Sequence, residues 1–132
     1  MKIKQLIPML NFQVASDAIE FYKKAFGAVE TLRMEDNGKI AHAEIRIGEI
    51  DIMIADEYPD MDVRSPLTIG GCPIILLLVT DNVDEVFNKA VSNGAKIERP
   101  VSDQLGGQIR NGKLIDPFGY KWMISSRPKN ED

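Results

Sequence analysis

The sequence predicts an α+β fold: two βαβββ modules whose strands form a curved mixed sheet around a trough, with helices outside. Two observations carry this expectation. Helix landmarks recur, since Asp17 meets Asp84 and Gly27-Ala28 meets Gly94-Ala95, an offset of 67 in each case (84 − 17 and 94 − 27). Both halves also read strand, helix, strand, strand, strand, the mark of an internal duplication. Either half alone is too small to bury a good core, so the two are expected to share one trough.

The elements follow in order. Ile3 to Phe12 is apolar and extended, with Pro8 suited to an edge or a strand start. Ser16-Asp17 is expected to cap a helix whose stripe is Ile19, Phe21, Tyr22, Ala25 and Phe26, with Gly27 ending it. Val29 to Met34 reads as a strand and Asp36-Asn37-Gly38 as a tight turn. Lys39 to Ile47 and Ile50 to Ala55 alternate around Gly48-Glu49, which makes a hairpin. Module one is expected at about 1–56, a polar linker with two prolines at 57–72, and module two at about 73–127, together one domain over 1–132. Module two repeats the order with strand Pro73 to Val79, a helix after Asp81-Asn82, a strand from Lys96, and a hairpin closed by Asp116-Pro117-Phe118-Gly119.

Composition narrows the function classes. The chain has 132 residues, 44% hydrophobic and 27% charged, as a globular domain does. Sixteen basic and twenty acidic side chains leave a net charge of −4. No nucleic-acid partner is expected, because phosphate contacts need a basic footprint. No membrane partner is expected either, for lack of a basic face or a long apolar run. Lys4, Gln5, Asn11 and Gln13 interrupt any apolar leader segment. Cys72 is the single cysteine, so no intrachain disulfide can form. A cytoplasmic setting is the expectation.

Strand alternation sorts the first hairpin. With Gly48-Glu49 as its turn, Ile47 faces Ile50, Arg46 faces Asp51 and Glu44 faces Met53. His42, Glu44, Arg46, Asp51 and Met53 then share one face. Ala43, Ile45, Ile47, Ile50, Ile52 and Ile54 share the other, which is expected to be buried beneath a helix. His42 and Glu44 are the catalytic candidates, as an acid–base pair tuned by burial. Arg46 is a candidate clamp for an anionic ligand. A plainer alternative stays open: an Arg46–Asp51 cross-strand ion pair, and a His42 that satisfies a backbone carbonyl.

Two segments, Ala18-Ile19-Glu20-Phe21-Tyr22-Lys23-Lys24-Ala25-Phe26-Gly27-Ala28 and Asp116-Pro117-Phe118-Gly119-Tyr120-Lys121-Trp122, resemble the vicinal-oxygen-chelate superfamily. That superfamily includes glyoxalase I, extradiol dioxygenases and bleomycin-resistance proteins. His42 to Gly48 followed by Asp51 to Asp56 looks most like its PhnB-like branch. The resemblance implies one metal ligand, His, Glu or Gln, near the middle of each of four strands. Alignment puts those positions on Ile7, Met53, Ile75 and Met123. None suits a hard or borderline divalent ion, so neither metal nor other cofactor is expected. Ile7, Met53, Ile75 and Met123 are expected to floor an apolar pocket, with Gln108 and Arg110 of module two facing the same cavity. Trp122 is expected on the opposite face from Met123, as core.

The functional expectation is a glyoxalase/bleomycin-resistance-like protein that binds an unknown small molecule in the trough without the usual divalent metal. The alternative is a lyase, isomerase or dioxygenase relative that uses Glu44 and His42, with or without an unorthodox metal. Whether the chain is an enzyme stays open at this point. The resemblance also implies a homodimer, which would cover sheet edges that a short chain leaves exposed.

Overall fold

A computed structural model describes residues 1–129. The chain divides into two compact units, the first Met1–Ile69 and the second from Gly70 onward. The eight strands form two four-stranded sheets, as an α+β duplication requires.

Unit 1 runs β1 (Met9–Phe12), α1 (Ala15–Phe26), β2 (Val29–Asp36), β3 (Lys39–Ile47), β4 (Ile50–Asp56), a 3-10 turn (Pro59–Met61) and α2 (Pro66–Ile69). Its sheet order is β1-β4-β3-β2, with β1 parallel to β4 and the other pairs antiparallel. One face packs on α1. Leu10, Phe12, Ala43, Ile45, Ile52 and Ile54 are buried there, against Ala18, Ile19 and Tyr22 of the helix. The expected Ile/Ala face is therefore buried except beside the hairpin turn, where Ile47 is half-buried and Ile50 is 56% exposed.

Three local expectations need correction. β1 begins at Met9 rather than Ile3. The residue that caps α1 is Val14, not Ser16 or Asp17, and its side chain cannot accept a hydrogen bond. The cap comes instead from the far end of β4. Buried Asp56 accepts from the amides of Ala15 (2.8 Å) and Ile40 (2.6 Å), so one carboxylate ties the helix start to the sheet. The expected linker is also structured up to Ile69. Glu57 accepts from the Ser65 amide (2.8 Å) and the Thr68 hydroxyl (2.8 Å), while Gln13 donates to Thr68 (3.2 Å).

Unit 2 runs β5 (Ile75–Val79), α3 (Val83–Ser92), β6 (Lys96–Gln104), a 3-10 turn (Leu105–Gly107), β7 (Ile109–Ile115) and β8 (Lys121–Ser125). The order β5-β8-β7-β6 repeats that of unit 1, with β5 parallel to β8. Val83, Phe87, Ala90, Leu114, Trp122 and Ile124 are buried between α3 and the sheet. Gly112 permits this approach, since a Cβ there would lie 2.8 Å from Phe87 Cε2 and 3.0 Å from the Val101 backbone nitrogen. The Asp116 motif has a physical basis: its carboxylate accepts from the amides of Phe118 (2.9 Å) and Tyr120 (3.0 Å) and from Trp122 Nε1 (2.9 Å). One side chain thus closes the hairpin turn and satisfies the buried indole.

The duplication reaches individual hydrogen bonds. In unit 1 the Ile40 amide donates to Asp56; in unit 2 the Arg110 amide donates to Ser126 Oγ at 3.0 Å. The two pairs are 70 residues apart (110 − 40 and 126 − 56).

Candidate functional site: the open face of each sheet

In each unit the sheet face away from the helix carries candidate residues: His42, Glu44 and Met53 in unit 1, Ile75 and Met123 in unit 2. Across unit 1, in-register pairing sets one row over four strands: Met9 of β1, Met53 of β4, Glu44 of β3 and Leu32 of β2. Across unit 2 the matching row is Leu77 of β5, Met123 of β8, Lys113 of β7 and Arg99 of β6. Cα partners present their side chains on the same face, so each row is a physical strip. Both rows start apolar. They differ in charge, for Glu44 in unit 1 stands where unit 2 has Lys113.

Unit 1 bears a shallow concavity of about 40 Å³, whose lining includes Met9, Asn11, Ala41, His42, Met53 and Ala55. His42 Nε2 lies 3.4 Å from Glu44 Oε2, and both side chains are about one-third exposed (32% and 28%). The hairpin thus brings His42, Glu44 and Met53 together in the expected register. Arg46 makes the cross-strand ion pair: its Nε donates to Asp51 Oδ1 (3.0 Å) and its Nη2 to Oδ2 (3.4 Å). That bond holds the Asp51 carboxyl below its ordinary value.

The apolar positions shift. Ile7 precedes β1, and the residue beside Met53 is Met9. Ile75 lies on the open face of β5 but pairs with Lys121, while Met123 pairs with Leu77. The Cα partners of Met53 and Met123, Met9 and Leu77, thus lie two residues after Ile7 and Ile75. A parallel pair has no tight turn to count from, so its register is not fixed by local sequence.

Arg110 does not face the same way as Met123. The β7–β8 register pairs Lys113 with Met123 and Leu114 with Trp122, so Arg110 shares the helix face with Gly112 and Leu114. There its guanidinium forks Asp84 of α3, with both bonds at 2.8 Å, and reaches Asp103 at 3.2 Å. Gln108 precedes β7; its side-chain oxygen is buried without a hydrogen-bond partner among the described residues. Trp122 is core, 4% exposed.

Arg99 and Lys113 were missed by sequence reasoning. Arg99 lies between two irregularities of the β6–β7 ladder, at Ile97/Arg99 and Arg99/Ser102. Bulges re-aim side chains, so simple alternation cannot assign its face. Arg99 Nη1 donates to Ser102 Oγ (3.2 Å) and the Asn111 carbonyl (3.1 Å), and Nη2 donates to Asn111 Oδ1.

The residues do not fit a divalent metal. Met9 beside Met53 and Leu77 beside Met123 offer thioethers and an alkyl group, not the nitrogen or oxygen donors that Zn²⁺ or Fe²⁺ takes. Among the described residues no group of three His, Cys, Asp or Glu side chains could hold an ion.

A duplicated βαβββ unit with helix-free sheet faces defines a class of fold, and the comparisons place the chain within it. The chain belongs to the Glyoxalase/Bleomycin resistance protein/Dioxygenase superfamily, whose family model matches residues 8–124. It is 38% identical over 123 residues to an uncharacterized protein of Mycobacterium bovis, covering 90% of this chain and 80% of that one. The X-ray structure of an Arabidopsis thaliana gene product is similar with a TM-score of 0.75 at 25% identity, over 94% of this chain and 99% of that one. A PhnB protein from Bacillus cereus has the same fold, with a TM-score of 0.71 at 20% identity over 93% and 99% of the two chains.

Proposed function

We propose that the chain binds a small organic molecule on the open sheet faces, without the divalent metal of the metal-dependent superfamily members. One observation carries this reading: the concavity of unit 1 is lined by Met9 and Met53 together with the polar His42 and Asn11. Apolar lining with a few placed polar groups is what ligand pockets need. Flexible, polarizable thioethers also adapt to varied apolar shapes. His42 and Glu44 are the groups that would act on a bound molecule, and their 3.4 Å contact favours a second reading in which they transfer a proton.

A homodimer in a cytoplasmic setting belongs to the same proposal. Support for association comes from the N-terminal segment, where Ile3 is 75% and Leu6 92% exposed. The lone Cys72 suits a reducing compartment.

The binding test uses N-phenyl-1-naphthylamine, a neutral apolar fluorophore. Saturable enhancement is expected with the wild-type chain, weakened at least about ten-fold in Met53→Glu, because a carboxylate on the floor costs desolvation. No saturable signal, or an unchanged one in the variant, would overturn the reading.

A further inference from the structure

We infer that the open face of the unit 2 sheet is a site for an organic anion, with the oxyanion head on Arg99 and Lys113 and the apolar body on Met123 and Leu77. This rests on the reading that the open faces bind a small molecule, and it specifies the chemical class of ligand.

Three other arginines set the standard. Arg33 presents Nε and Nη2 to Glu30 (2.6 and 3.2 Å), Arg46 presents the same edge to Asp51, and Arg110 presents it to Asp84. This is the fork geometry in which guanidinium recognises carboxylate. Arg99 is half-buried and engages only neutral acceptors, all through Nη1 and Nη2: the Pro100 and Asn111 carbonyls, Ser102 Oγ and Asn111 Oδ1. No described residue accepts from its Nε, and no described carboxylate pairs with it. These bonds hold the guanidinium in place and leave the Nε–H without an acceptor among the described residues. Asn111, which anchors it, is 8% exposed and donates onward to Ser125 Oγ at 3.4 Å. Such an arrangement is preorganised, so binding an anion would order little that is not already fixed.

Lys113 strengthens the case. It is the Cα partner of Arg99 across the β6–β7 ladder and of Met123 across β7–β8. Like charges directly opposite one another on a sheet are unfavourable, and an anion between them removes the conflict. Lys113 has no ion pair among the described residues; nearby on the same face Lys121 pairs with Glu98 at 3.6 Å. The fold does not demand this charge, since the equivalent place in unit 1 holds Glu44. Nor is the cation pair part of a broad basic field for a polyanion, because the chain carries −4 overall. The row spans three inter-strand spacings, roughly 14 Å at the usual sheet geometry, apolar at Leu77 and cationic at Arg99. That polarity matches an amphipathic small molecule with an anionic end.

Octanoate, octyl phosphate and octanol, titrated against the full isotope-labelled chain and followed by NMR, test this. Octanoate or octyl phosphate is expected to bind at least about ten-fold tighter than octanol, moving the Arg99 Nε–H and Met123 methyl resonances together. The tighter of the two anions identifies the head as carboxylate or phosphate. In Arg99→Gln the anion should fall to the level of octanol, with octanol itself unchanged. Lys113→Gln should reduce the preference several-fold, and it provides the same readout if Arg99→Gln does not fold. Equal binding of octanol and both anions by the wild type, or a preference that survives both substitutions, would overturn the anion site and leave the open-face reading standing. If none of the three compounds moves resonances on either open face at millimolar concentration, both fail.

Discussion

Asp56 sits where β4 ends, 7% exposed, and accepts from the amides of Ala15 and Ile40. A helix start leaves amides without intrahelical acceptors, and here a side chain 41 residues away supplies one. Asp56→Ala should therefore destabilise the chain by about 2–4 kcal/mol, since each buried amide left unpaired costs about 1–3 kcal/mol. Denaturant unfolding measures this; a loss below about 0.5 kcal/mol would mean that water or another acceptor reaches both amides. Ser16-Asp17 looked like the cap because cap preferences are local, whereas the acceptor actually used arrives through the tertiary fold. His42, Glu44, Arg46 and Met53 were legible for the opposite reason: the Gly48-Glu49 turn fixes their hairpin register within a few residues. Arg99 was illegible because two ladder irregularities flank it.

Carboxylates at the joints between elements make the fold sensitive to acid. Asp84, in the first turn of α3, is held below its ordinary value by its fork with Arg110 of β7. Arg33 does the same for Glu30 on β2, and the Ser65 amide does so for Glu57 after β4. A carboxyl group with a lowered folded pKa contributes its stability in full above its ordinary value. That contribution is lost as pH falls through the lowered one. The melting temperature should hold above about pH 4.5, the ordinary value for Glu, and drop progressively below it. Asp84→Asn should lower stability near neutrality and flatten part of the acid limb, as thermal melts from pH 7 down to 2.5 would reveal. A limb that keeps its full slope in the variant would mean that the fork does not link α3 to the sheet. Because the pair is exposed, salt should weaken its effect. The fork also shows why Arg110 was misplaced from sequence: DPFG announces a turn, but only the Asp116–Tyr120 closure sets which β7 residues face Met123.

The whole chain shows how far a duplicated plan was readable. The repeat of strand, helix and three strands emerged from helix ends 67 residues apart, because caps and apolar stripes are local signals. The parallel pairs β1–β4 and β5–β8 were not readable to the residue; Met9 and Leu77, rather than Ile7 and Ile75, are the Cα partners of Met53 and Met123. Thioether and alkyl groups face each other across both parallel pairs, Met9 beside Met53 and Leu77 beside Met123. The central claim is that these apolar floors serve an organic ligand in place of a metal. Native mass spectrometry with elemental analysis, on the full chain purified from its own cells, tests it most directly. The account predicts a dimer mass carrying a non-covalent organic component that organic solvent removes, with no near-stoichiometric transition metal. Metal at about one per chain, retained through gel filtration and lost in His42→Ala, would contradict it.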